Sequence, residues 1–329
     1  MKQTYLALFL LLTLAIASCR KSGSDIDIKT YDNNQIRDYI AANALNSMKR
    51  DTVGGDTSGV YYQILNQGKG ATLNYDTRII YVLSVKSLDG KFLATDTISS
   101  SIVSNGVSYR TVAGHGVDAV GLMVPKGLMM AIHNGVKNKG TTARILVPSR
   151  LAYGVGGITV GTNRLPGNES LDYTINVLDD DNATAMAAYD DLSIRKYCAA
   201  NNIDINSYTK KQSGLYIKIN QVGTGTTAIT ATSTGTVQYH GLLFNGFVFD
   251  GNVTDAGFAI DMQTLPLAGW KEGLLGLTSG AKIDLLIPSR LAYGISSQTR
   301  NSPTTGQLEA AIPTTSCLRF GINVLTVTN

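Results

Sequence analysis

The sequence predicts an α+β protein made of two copies of one unit, each a helix followed by an antiparallel sheet. Three observations carry this. The string Pro-Ser-Arg-Leu-Ala-Tyr-Gly occurs at 148–154 and again at 288–294. A helix signature also recurs: Tyr31-Asp32, Ile36-Arg37, Tyr39 and Ala41-Ala42-Asn43 match Tyr189-Asp190, Ile194-Arg195, Tyr197 and Ala199-Ala200-Asn201. Between these anchors lie short β-branched and aromatic runs separated by glycine turns. Repetition at this distance means a duplicated folding unit rather than one large domain. The chain's 329 residues are enough for each copy to bury its own core.

The first residues stand outside the repeat. Lys2 and the apolar stretch 5–16 read as a secretory leader too short to be a settled membrane span. Ile16-Ala17-Ser18-Cys19 resembles the lipobox of bacterial lipoproteins. The resemblance implies that residues 1–18 are a lipoprotein signal peptide and that Cys19 is the lipid-attachment residue. Residues 19–30 then form a polar tether. The expected location is the cell envelope, lipid-anchored to a bacterial membrane, with the outer membrane on its periplasmic or surface side favoured. A net charge of +4 with scattered basic residues offers no nucleic-acid footprint. Cys198 and Cys317 read as buried free thiols.

Taken in order, 31–45 is predicted helical, with Asp32 as cap and Ile36, Tyr39, Ile40 and Leu45 on one face. Ser58-Gly59-Val60-Tyr61 and Ser213-Gly214-Leu215-Tyr216 open matching strands that run to Gly-containing turns at 68–70 and 223–225. Each copy of the repeated string follows an apolar run, so a strand meets a proline stop and the turn presents a tyrosine. Alternating strands at 171–178 and 318–325 close the units. The boundaries are therefore 31–182 and 183–329, with 182–188 as a short linker. In the second unit, 236–241 is a strand and Asn245-Gly246 a tight turn into Phe247-Val248-Phe249-Asp250. Residues 258–262 form another strand, and a short helix starts at Leu267 and ends near Gly280.

The second unit resembles the FKBP-type peptidyl-prolyl cis-trans isomerases, the macrolide-binding immunophilin class. The resemblance is carried by V-Q-Y-H-G (237–241), N-G-x-x-F-D (245–250), G-W-x-E-G-L (269–274), I-P-x-x-L-A-Y-G (287–294) and A-I-P followed by L-R-F (311–320). It implies an antiparallel half-barrel wrapped over one short helix, and by repetition two such domains. It implies Trp270 as the floor for a prolyl ring, Tyr239, Phe249 and Phe320 as aromatic walls, and Asp250 and Tyr293 as polar groups beside the amide. Phe258, Leu267 and Ile312 complete the substrate lining. Partners would be Pro-containing polypeptides, with the hollow open to macrolides and no cofactor required. Departures from the family pattern are Pro266, His240, Ala311 and the long polar loop 295–309.

The first unit, by contrast, reads as a degenerate copy. Tyr81 is matched to Tyr239 although it lies two residues further from its turn, Asp89-Gly90. Leu93 and Ala94 stand for Phe249 and Asp250. Counting back from Gly140 puts Met130 at the floor and Met129 in place of the preceding glycine, while Tyr153 and Tyr173 survive. Met123, Met129 and Met130 read as core packing, with a peptide-receiving groove as the alternative. The rival functions are a non-catalytic envelope chaperone, a peptide-binding lipoprotein, and a structural lipoprotein with the domains as spacers. His115, His133 and His240 have no metal-ligand spacing, and no Ser or Cys sits in a nucleophile motif.

Overall fold

The computed structural model describes residues 26–55, 58–74, 77–95, 110–112, 124–160, 163–296, 298–301, 308–312 and 314–329. The leader, Cys19, His115 and Met123 lie outside the described residues, as does part of the loop after Tyr293.

The first unit opens with helix α1 (Ile28–Ala42). Its strands are β1 (Lys49–Arg50), β2 (Tyr61–Asn66), β3 (Arg78–Ser87), β4 (Leu93–Thr95), β5 (Arg110–Val112), β6 (Thr142–Val147), β7 (Ile158–Val160), β8 (Asn163–Leu165) and β9 (Leu171–Val177), with a short helix α2 (Lys126–Ala131) before β6. The second unit opens with α3 (Ala183–Ala200). It continues through β10 (Thr209–Lys210), β11 (Tyr216–Gln221), β12 (Thr234–Leu243), β13 (Val248–Asn252) and β14 (Phe258–Asp261). Helix α4 (Ala268–Leu274) follows, then β15 (Lys282–Ile287), β16 (Gln298–Asn301), β17 (Leu308–Ile312) and β18 (Leu318–Thr328). The two seven-stranded sheets have one topology: β1-β2-β6-β9-β3-β4 with β5 on β3, and β10-β11-β15-β18-β12-β13 with β14 on β12. Every pairing is antiparallel.

Alternation sets the faces. Along β18, Leu318, Phe320, Ile322 and Val324 are buried inward, while Arg319, Gly321 and Asn323 face outward. Each sheet's inner face packs on its own short helix. In the first unit Leu128 and Ala131 meet Ile145, Tyr173 and Ile175. In the second, Trp270 and Leu274 meet Leu285, Phe320 and Ile322.

The N-terminal helices behave differently from the sequence reading. Asp27, not Asp32, caps α1 and accepts a hydrogen bond from Thr30 N, so the expected tether to residue 30 is already helical from Ile28. Asp32 is fully buried one turn further on. It accepts from Ser149 Oγ (2.6 Å), Arg150 N (3.2 Å) and Arg150 Nη1 (2.9 Å), and so clasps the helix to the repeated string. The equivalent Asp190 lies against Ser289 and Arg290 and accepts from Cys317 Sγ at 3.5 Å. Burial is the main force on Asp190, and it raises the carboxyl above its ordinary pKa.

The expected linker at 182–188 is also helical. Asn182 caps α3, accepting from Thr184 N and Ala185 N. Met186 packs on Ile80 and Leu178 of the first unit. Further along, Ile194, Tyr197 and Cys198 pack on Tyr216, Phe244, Leu286 and Cys317 of the second. The Tyr197 and Phe244 rings stack with centroids 4.1 Å apart. Both cysteines are buried and free.

The outward faces carry matching ion pairs of opposite polarity. Arg144 on β6 donates to Asp172 on β9 through two bonds (2.9 and 2.6 Å), and Tyr39 donates to the same carboxylate. In the second unit the acid is Asp284 on β15 and the base Arg319 on β18 (3.1 and 2.7 Å), with Tyr197 Oη accepting from Arg319.

Asp32→Ala removes the carboxylate that Arg150 and Ser149 share, while Arg150 Nη2 keeps its bond to Ser58 O (2.6 Å), and breaking such a buried pair costs about 3–5 kcal/mol. Urea unfolding should show the first unit's midpoint falling sharply. An unchanged midpoint would show that the clasp does not hold the unit together.

Candidate functional site

The inner face of the second sheet gathers the predicted aromatics. Trp270 lies on α4 one residue after Gly269, where a β-carbon would sit 2.5 Å from Ile287 Cγ2. The bare glycine lets α4 lie close on β15 and sets the indole among strand side chains. Trp270 is 3% exposed, and two rings meet it edge-on at 5.0 Å: Tyr239 at 80° and Phe320 at 88°. Phe249 meets Phe320 at 5.6 Å and 84°, and Phe258 meets Tyr239 at 5.5 Å and 72°. Edge-to-face pairs in this range hold each other's orientation and are worth about 0.5–1.5 kcal/mol beyond their burial. Among the described residues no acceptor meets Trp270 Nε1.

The polar groups are tied to this cluster. Tyr239 Oη donates to Asp250 Oδ2 at 2.8 Å, and Gly251 N donates to Asp250 Oδ1 at 2.8 Å. Asp250 is exposed at the rim, while Tyr239 is buried. Burial first, and then the Asp250 carboxylate, push the Tyr239 phenol well above its usual range. Tyr293 is raised as well, by burial and then by the Asp250 charge. Tyr293 packs against the same cluster as Trp270. Its turn is fixed by Gly294 N donating to Ser289 O (2.8 Å) and Thr315 N donating to Gly294 O (2.7 Å), with Gly294 at φ 59°. Leu267 and Ile312 are buried in this cluster, and Phe258 stands 41% exposed at its edge. All nine predicted pocket residues therefore belong to one connected group. A groove of about 230 Å³ lies on the outer face of the same sheet, with Gln238, His240, Asp284 and Arg319 in its lining.

The first unit corrects three residue matches. Leu83 pairs with Ile175 as Tyr239 pairs with Ile322, so leucine stands at the tyrosine's place and Tyr81 matches Val237. The spacing to Asp89-Gly90 carried that signal, since Leu83 stands as far from its turn as Tyr239 does from Asn245-Gly246. The floor position is Leu128 rather than Met130. Pro125 and Leu267 cap the two short helices, and a β-carbon on Gly127 would meet Val147 as one on Gly269 meets Ile287. The glycine before the floor is thus kept. The π-helical turn Ile132–Val136 adds two residues before Gly140, which displaces any count made from that glycine. Finally, β3 and β4 pair Lys86 with Leu93 and Val85 with Ala94 without a break. In the second unit the register shifts between Gly241 and Leu242, and Phe249 occupies the extra position. Leu93 therefore matches Val248, and Phe249 has no counterpart.

A family model described as FKBP-type peptidyl-prolyl cis-trans isomerase matches residues 225–325. A Neurospora crassa protein named FK506-binding protein 1A is 38% identical over 84 residues, which are 25% of this chain and 69% of that protein. A Haemophilus influenzae protein named as a probable FKBP-type peptidyl-prolyl cis-trans isomerase is 39% identical over 117 residues, 35% of this chain and 44% of that one. The chain thus spans less than half the length of this bacterial relative. The crystal structure of FkpA from Escherichia coli is 28% identical, over 43% of this chain and 61% of that one, with a TM-score of 0.34.

The raised phenols set a pH dependence. Tyr239 and Tyr293 have folded pKa values above the unfolded value of about 10, so the folded state holds protons that the unfolded chain releases. Their contribution to stability is complete below about pH 10 and is lost as pH rises through the raised values. Alkaline unfolding should steepen above that point for the unsubstituted chain and less so for Tyr239→Phe. Equal steepness in both would refute the assignment.

Proposed function

This chain belongs to the FKBP-type peptidyl-prolyl cis-trans isomerase family, and from that premise we propose that its second unit, residues 183–329, catalyses rotation about Xaa-Pro bonds. The observation that carries the reading is the buried Trp270 indole, flanked edge-on by Tyr239 and Phe320, with the Tyr239–Asp250 bond at its rim. In this reading each unit is a half-barrel wrapped over its short helix.

The chemistry requires no nucleophile and no base. The barrier to peptide rotation is ~18–20 kcal/mol because the planar amide is resonance-stabilised. The twisted form has lost that resonance, and its carbonyl is less polar. A hollow floored by Trp270 and walled by Tyr239, Phe249 and Phe320 favours the twisted form over the hydrated planar one. Phe258, Leu267 and Ile312 hold the flanking chain. Tyr293, kept neutral by its surroundings, donates to the carbonyl without giving up its proton. A thousandfold acceleration needs only ~4 kcal/mol of such differential contact. Macrolides that mimic a twisted prolyl amide would compete for the same hollow.

The first unit serves as a binding or spacing copy. Leu83 and Leu128 replace the tyrosine and tryptophan, and the bulge phenylalanine is missing. The role as a whole is assistance to folding of Pro-containing clients in the bacterial envelope, with Cys19 lipidated. Among the described residues no helix is long and apolar enough to cross a membrane.

Trp270→Leu copies the residue that the first unit's fold accepts at this place. In the full chain it should lower kcat/KM for short Xaa-Pro peptides by roughly a hundredfold, the effect of losing about 3 kcal/mol of transition-state contact. Tyr153→Phe should leave the rate untouched. Peptide binding without acceleration in the unsubstituted chain would favour the chaperone reading instead. Cells given a palmitate analogue should label the protein but not Cys19→Ser; label retained on the serine variant would end the anchor proposal.

A further inference from the structure

We infer that Gly241 is a positioning residue for the proposed isomerase site, holding the Phe249 wall in place by having no side chain; this rests on the reading above. Gly241 lies on β12 between the strands that carry the two phenylalanine walls, pairing with Phe320 on β18 and with Asp250 on β13. A β-carbon built on it would sit 2.6 Å from Phe320 Cε1, 2.7 Å from Phe249 Cζ and 2.9 Å from Phe249 Cε2. These distances are well inside the ~3.5–4.0 Å of carbon–carbon contact, so one ring must move.

The surroundings decide which. Phe320 is 2% exposed and is held between Trp270 and Tyr239. Phe249 is only half-buried and rides on the bulge that begins beside Gly241, so it is the ring free to swing outward. The backbone at Gly241 is not among the glycines with positive φ. Its constraint is therefore space at the aromatic wall and not conformation.

The first unit supplies the contrasting case. Val85 takes the corresponding place, paired with Tyr173 and Ala94, and is buried against Tyr173 in the core. The strand pair there has no bulge and no phenylalanine. A branched side chain at this position and a ring at the bulge exclude each other, so the wall and its glycine stand or fall together.

The test compares Gly241→Ala, Phe249→Leu and the double variant in the full chain, with emission from Trp270, the sole tryptophan, reporting that each is folded. Gly241→Ala should lower kcat/KM for an Xaa-Pro tetrapeptide by about tenfold, the effect of a wall displaced from the transition state. The double variant should be no slower than Phe249→Leu alone, because the ring that alanine displaces is already gone. An unchanged rate in Gly241→Ala, or losses that multiply in the double variant, would overturn the inference. A crystal structure of Gly241→Ala judges it independently of activity. A Phe249–Phe320 centroid separation wider than 5.6 Å supports it, and an unchanged separation overturns it. Lack of acceleration by the unsubstituted chain would sink only the isomerase reading.

Discussion

A buried carboxylate on each N-terminal helix is the constraint on which both units depend. Asp32 accepts three hydrogen bonds from Ser149 and Arg150, and Asp190 lies against the same two residues of the second string. A buried acid needs such donors, because an unpaired one would cost several kcal/mol. The pairing ties a helix at the start of each unit to a turn more than a hundred residues away in the first and nearly so in the second. In the second unit that turn carries Tyr293 to the aromatic cluster. In the second unit one end of the repeated string thus grips the helix and the other sets Tyr293 against the aromatic cluster.

The sequence made the duplication, the strands and the second unit's aromatic cluster legible because they sit in short motifs with local geometry. A proline after an apolar run, Asn-Gly before Phe-Val-Phe-Asp and glycine before tryptophan each fix their neighbours within a few residues. Other features resisted reading because they depend on distant partners. The role of Asp32 is decided by Ser149, and neither residue announces the other. The π-helical turn at Ile132–Val136 changes a count without leaving a mark in composition, so counting back from Gly140 reaches Met130 where the structure has Leu128. The bulge at Phe249 had the same effect on Leu93.

The differences between the units form a set rather than a scatter. Leu128 for Trp270, Leu83 for Tyr239 and Val85 for Gly241 all replace a ring, or the space for one, with an aliphatic side chain. Each replacement keeps the core filled, so the first unit retains its packing, and Tyr153 and Tyr173 with it, without the tryptophan, the buried tyrosine or the bulge phenylalanine of the second. Outward-facing apolar residues follow a separate logic. Ile80 and Leu178 are covered by Met186 of α3, whose later residues cover Tyr216, Phe244, Leu286 and Cys317 of the second unit.

The inverted ion pairs bear on a hazard of any duplicated chain, the docking of a strand into its twin's sheet. Arg144 and Asp284 occupy equivalent places on β6 and β15, as do Asp172 and Arg319 on β9 and β18. Were β9 to settle beside β15, two acids would meet in a nearly dry setting, and β18 beside β6 would bring two guanidinium groups together. Each sheet's own closing strand brings acid to base where the other's would bring like charges together, so the inverted pairs favour correct pairing in a chain that carries one topology twice.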